Sequence, residues 1–213
     1  MTIPGTSEEF TAIGQAFYND GYRMATSVQP GDENERLLLV AMTHLYGALD
    51  NFIDLFLQKA APEHPVHCKK GCSWCCHQAV FAHTHEFRYL KQWMFAHMDA
   101  EQMEKVRKQA VKKHRATSVL SPDERLLHKE PCPLLADGAC SAYEARPVAC
   151  RIYLSMDVGS CRDEFTNPAD HAVFPKLFRL PLHAGRKLNE GFAAGLQSAG
   201  LETMEHTLEQ GLL

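Results

Sequence analysis

The chain has 213 residues, of which 45% are hydrophobic and 23% charged, and its formal net charge is −4. That is apolar enough for a packed core without staples, and the charge gives no footing for nucleic acid or an anionic membrane surface. Eight cysteines and twelve histidines are the departure from average. Met1 to Thr6 have no basic or apolar leader, and Glu8 and Glu9 follow at once, so no secretory signal is expected. A cytoplasmic chain is the expectation, and there crowded cysteines bind metal or do redox work rather than form lasting disulfides.

Thr6 and Glu9 form a capping-box pattern, and Phe10, Ile13, Phe17 and Met24 follow at helical spacing. This predicts a helix over about 7–27. Pro30-Gly31-Asp32 breaks the chain. Leu38, Met42, Leu45, Leu49, Phe52 and Phe56 stripe a longer helix to about Lys59. The run Leu37 to Leu57 is apolar, but Asp50 and Asp54, with His44 and Asn51, argue against a membrane span. A third helix is expected from Thr84, a fourth after the Asp99-x-x-Gln102 cap to about His114, and a short fifth after Ser121-Pro122-Asp123-Glu124. Residues 131–175 read as irregular loop, and two weaker helices are expected near 186–198 and 201–212. No run alternates with period two. The prediction is an all-α fold, one helical domain over 1–213 with long irregular Cys-rich loops stapled by metal. Its parts are a helical pair at 7–60, a cysteine region at 62–175 and C-terminal helices at 176–213. A loop of such length needs something to hold it.

Cys68, Cys72, Cys75 and Cys76 follow a C-x3-C-x2-C-C pattern. Such spacing lets successive thiolates turn inward around one ion or cluster, and Gly71 supplies the permissive backbone. Lys69 and Lys70 would offset the thiolate charge. The second stretch holds Cys132, Cys140 and Cys150, and Asp137-Gly138 is a turn that can aim Cys140 back at Cys132. Thiolate-rich sites select zinc or iron–sulfur clusters. Seven candidate ligands exceed the four that one zinc needs. Two ions, a cluster with spare thiols, or a ligand-exchanging site would use the surplus. Adjacent Cys75 and Cys76 point in different directions in most loops, so they serve different metals or only one ligates. Cys161 stands apart in a polar loop and reads as a free thiol.

The two stretches together resemble the YkgJ-type CxxxCxxCC cysteine-cluster family of zinc- or iron-chelating proteins. The second is the more specific, with Cys140, Tyr143, Glu144, Arg146, Pro147, Cys150 and Arg151 at the family's spacing. The resemblance covers about residues 68–153. Flagellin lysine N-methylases are distantly similar in cysteine pattern, which implies a group-transfer role for an iron–sulfur cluster as one option. This chain is shorter and shows no separate substrate domain.

Cys68, Cys72 and Cys75 also match the three-cysteine signature of radical S-adenosylmethionine enzymes. That signature belongs after a strand of a (β/α) barrel, whereas here it follows a long helix. His77, His83 and His85 could add a ligand, with Glu86 at a helix start. Arg146 and Arg151 are candidate cofactor-binding groups that balance cluster charge, or else they pair with carboxylates and carbonyls. Asp50 and Asp54 read as a solvated face, and Lys105 to Arg115 as the wet side of a helix. The expected function is an iron-binding protein, with an iron–sulfur cluster held by Cys68, Cys72, Cys75, Cys76, Cys132, Cys140 and Cys150, for redox or group-transfer chemistry. The alternatives are a structural zinc module serving a protein partner, and a thiol or metal carrier or sensor. Enzymatic activity, as a transferase or oxidoreductase, stays open.

Overall fold

The computed structural model describes residues 7–213; Thr6, the cap expected for the first helix, lies outside them. Helices α1 (Ser7–Ala25) and α2 (Asn34–Ala60) appear where the apolar stripes place them. A short strand β1 (Phe81–His83) runs straight into α3 (Thr84–His97). Helix α4 (Ala100–Thr117) opens on a reciprocal cap. Asp99 Oδ1 accepts from the Gln102 N–H at 2.8 Å, and Gln102 Oε1 from the Asp99 N–H at 3.0 Å. Helix α5 (Pro122–Leu127) starts the same way on Ser121 and Glu124. Among the described residues no helix is long and apolar enough to cross a membrane.

The segment expected to be irregular loop carries regular structure. Strands β2 (Leu135–Ala136) and β3 (Ala139–Cys140) form a tight hairpin, followed by α6 (Val148–Ile152) and α7 (Val158–Thr166). At the hairpin tip Asp137 and Gly138 have φ of 50° and 77°, the left-handed pair that a two-residue turn requires. Helix α7 has few apolar residues to announce it. It is nucleated by Asp157, whose carboxylate accepts from the Gly159 and Ser160 N–H groups.

Helix α8 spans Arg179–Ser198, starting well before the expected position, with Pro181 inside its first turn where no N–H is missed. The last expected helix is cut down to α9 (Leu208–Leu212), because β4 (Glu205–Thr207) pairs antiparallel with β1 in the register Phe81↔Thr207. Three residues of a short polar run are thus taken by a strand partner far along the chain, which local pattern does not reveal. Among the described residues the strands make only these two antiparallel pairs, so the barrel reading of the three-cysteine motif is excluded while the mostly helical class holds.

Two apolar clusters form the core. One joins α1, α2 and α8 through Leu38, Met42, Leu45, Leu49, Leu188 and Phe192. The other joins β1, α3, α4 and α9 through Val80, Phe87, Leu90, Val106 and Leu208, and includes Leu134. Helices α1 and α8 approach so closely that a Cβ at Gly21 would lie 1.9 Å from the Leu188 carbonyl oxygen, and one at Gly191 1.9 Å from that of Tyr18. Backbone cannot yield as a side chain can. Gly191→Ala is expected to cost about 3 kcal/mol, at the upper end of overpacking, read as a lower denaturation midpoint. A change under about 0.5 kcal/mol, within surface-substitution range, would show the helices free to move apart.

Candidate metal centre

The first cysteine stretch leaves α2 as an extended segment. Gly71, with φ of 94°, turns it back so that the Cys72 N–H reaches the Lys69 carbonyl. A single 3-10 turn, Trp74–His77, then presents Cys75 and Cys76 from adjacent positions. The second stretch is fastened to the first through the backbone, where the Cys132 N–H donates to the Cys76 carbonyl oxygen at 2.7 Å. The β2–β3 hairpin folds Cys140 back opposite Leu135. Helix α6 carries Cys150, and its N-terminus is held by the buried Glu86 carboxylate, which accepts from the Val148 N–H at 2.7 Å.

The thiols fall into two groups. Cys76, Cys132, Cys140 and Cys150 form one, in which every pair lies close enough to interact electrostatically. All four pack on or within the second apolar cluster. Cys68, Cys72 and Cys161 form the other, again with every pair interacting. Cys68 packs against the first apolar cluster. Its sulfur accepts from the Ser155 N–H at 3.0 Å. Cys75 stands between the groups, touching Cys76 on one side and sensing Cys150 and Cys68. All eight cysteines are free thiols.

Sequence reasoning set Cys161 aside, and the structure brings it in. It is 8% exposed and lies in the first turn of α7, which packs on the 3-10 turn through Phe165 against Trp74 and His77, at centroid distances of 5.4 and 4.9 Å. The signal was the Asp157 cap, which makes a helix start of an apparently polar loop.

Loss of water pushes most of these thiols up: Cys132 to about 12, Cys140 to about 11, and Cys150 well above its ordinary value. Cys76 moves the other way, down to about 7, because the Cys75 thiol donates to its sulfur and the Lys113 ammonium lies near. Cys75 correspondingly holds its proton. Lys113 is 3% exposed and donates to the Gln78 and Glu130 carbonyls at 3.2 and 2.9 Å. The run Lys105 to Arg115 is therefore not all wet surface. Lys113 continues the buried stripe of Val106 and Ala110, and a lysine on that stripe was the legible sign. Arg146 also lowers Cys140 and Cys150. It lies over the Tyr143 ring at 3.9 Å and donates to the Tyr143 carbonyl. Charge is balanced by Lys113 and Arg146 rather than by the expected Lys69 and Lys70. Lys69 is exposed, and Lys70 pairs across the loops with Glu144 at 3.2 Å. Arg151 is a fastener: it donates to the Asp50 carboxylate and to the Glu144 and Arg146 carbonyls. Asp50 is thus an ion-pair partner as well as a partly solvated carboxylate.

Of the histidines, His77 is spent on the Ser73 carbonyl at 3.1 Å and on Phe165. Among the described residues, the set of three ligand atoms that all lie within 4.8 Å of one another is made by His83, His85 and Glu86, not by thiols.

A mostly helical body with thiols from distant loops gathered at two places defines a metal-chelating cysteine-cluster protein. Residues 67–172 match the model of the CxxCxxCC family, described as a "Putative zinc- or iron-chelating domain". No curated protein and no solved structure matches it. Metal binding, of zinc or iron, is the property that this match supports.

Metal must displace protons from these thiols, so affinity rises with pH. Near pH 8 Cys76 is largely ionised, while Cys132, Cys140 and Cys150 are not. Zinc bound by all four would displace three protons. Its affinity is expected to climb about a thousandfold per pH unit, measured by chelator competition at pH 7.5 and 8.5 after correcting for the chelator. A tenfold rise would mean that a single buried thiol ligates.

Proposed function

We propose that the chain holds iron, as an iron–sulfur cluster, through Cys76, Cys132, Cys140 and Cys150, for redox or group-transfer chemistry. Cys68 and Cys72, with Cys161 and Cys75, make a second thiolate set that binds a further metal. The observation that carries this reading is the mutual proximity of four thiols drawn from the 3-10 turn, the hairpin, its approach segment and α6. Four thiolates are the ligand set of the common iron–sulfur clusters. Spacing favours the cluster over a lone ion. A tetrahedral zinc with bonds of about 2.3 Å draws its sulfurs to about 3.8 Å of one another. No three of these thiols fall within 4.8 Å together among the described residues, and a cluster with its own bridging sulfide spans the wider gap. Lys113 and Arg146 supply positive charge against an anionic centre.

Anaerobic purification with metal and acid-labile sulfide analysis tests this. The expected product is brown, with iron and sulfide together and a paramagnetic resonance signal on reduction. Colourless, air-stable protein with stoichiometric zinc would instead establish the structural zinc module, and weakly held, exchangeable metal would establish a carrier. Cys161→Ser separates the two sets: bound metal is expected to fall while the first centre's spectrum stays. Unchanged metal content would return Cys161 to a free thiol.

A further inference from the structure

We propose that His83, His85 and Glu86 form a separate imidazole–carboxylate site for a divalent first-row cation such as Mn2+ or Fe2+. His83 ends β1, and His85 and Glu86 open α3. One ligand atom from each lies within 4.8 Å of the other two. His85 is 2% exposed and Glu86 1%. The imidazoles of His83 and His85 are stacked, with centroids 5.2 Å apart and planes 20° from parallel.

The hydrogen bonds fix the tautomer of His85. Asn189 Nδ2 donates to Glu86 Oε2 at 3.0 Å, so the Asn189 Oδ1 is the free acceptor. His85 Nε2 lies 3.0 Å from that oxygen and therefore carries the ring proton. His85 Nδ1 is left with a bare lone pair, buried and without a partner. A metal-binding histidine likewise has its outer N–H held by a fixed acceptor and its other nitrogen free to ligate. Glu86 accepts from the His83 and Asn189 donors at Oε2 and from the Val148 N–H at Oε1. Three of its four acceptor positions are used, and the fourth, on Oε1, remains. Helix capping explains the Glu86 contacts. It explains neither the stacked imidazoles nor the bare nitrogen.

A way in exists. His83 and Asn189 line a cavity of about 530 Å³ that also exposes Cys75 and Cys150. Glu190, Glu205 and Arg186 border the same space, and Glu190 is paired with Lys187 at 2.6 Å. Two imidazoles and one carboxylate leave coordination positions unfilled, the donor set of sites where iron meets an exogenous ligand. The cavity would then hold a small ligand between this cation and the thiols.

The test uses Mn2+ alone as probe, since manganese prefers nitrogen and oxygen donors to thiolate. It is added to the full chain with its thiol-bound metal in place. The expected result is one Mn2+ taken up per chain, read from loss of the free-ion resonance, with nitrogen-14 coupling from bound imidazole in the pulsed spectrum. His83→Gln is expected to weaken uptake about tenfold or more, His83→Asp to restore part of it, and thiol-bound metal to stay constant in both. Absence of uptake, uptake equal in His83→Gln, or bound Mn2+ without nitrogen coupling would each overturn the proposal. The pulsed spectrum decides on the unaltered chain should a variant fold poorly. Thiol-bound iron or zinc is assayed on the same samples, so a missing thiol centre and a missing imidazole site are told apart.

Discussion

Cys150→Ser is expected to lower metal bound at the first thiol set by about tenfold or more, since loss of a ligand costs at least as much as loss of a group that orients one. Cys150 interacts with Cys76, Cys132 and Cys140 and sits on α6, which links the two apolar clusters. A serine hydroxyl is nearly the same size, so packing is kept while the soft donor is lost. Metal-binding energy is also folding energy. The variant should therefore melt earlier than the parent when both are metal-loaded, and the gap should shrink once both are stripped by chelator. Equal metal content in parent and variant would remove Cys150 from the ligands. A gap that survives chelation unchanged would make it a packing residue.

The second large effect is expected at Arg151. Its side chain is 2% exposed and lies over the Tyr46 ring at 4.1 Å while its donors engage Asp50, Glu144 and Arg146. Arg151→Met keeps most of the volume but leaves the Glu144 and Arg146 carbonyls without their donor. The expected loss is about 3 kcal/mol, the lower end for breaking a buried charged network, because Asp50 is half in solvent and can rehydrate. Denaturation at low temperature measures it. Metal content below the transition should be unchanged, since Arg151 fastens loops rather than touching thiols. Loss of metal in the folded variant would give Arg151 the cofactor-binding role that its place in the motif suggested.

Much of this was legible in the sequence, for reasons that can be named. Helices α2, α3, α4 and α5 announce themselves because Leu38, Leu45 and Leu49 repeat at helical spacing and because Asp99 and Ser121 cap with side chains visible in the sequence. Asp137-Gly138 is readable as a turn because few other dipeptides tolerate two positive φ angles. The family pattern marked both cysteine stretches, and the family match extends over them. What stayed hidden depends on distant partners. Strand β4 exists because Phe81–His83 lies beside it. The division of the thiols, with Cys75 turned between them, follows from two apolar clusters that spacing along the chain does not encode. Glu86 looked like an ordinary charge at a helix start, yet its second oxygen caps α6, sixty-two positions along the chain. His85 is indistinguishable in the sequence from the other histidines until Asn189 fixes its proton.

The proposed centre is sulfur from separate loops meeting at one inorganic site. X-ray absorption at the metal edge of the anaerobically purified chain examines that directly. The predicted spectrum has a first shell of sulfur at about 2.3 Å and a second shell of iron behind it. A first shell of nitrogen and oxygen in place of sulfur would contradict the account.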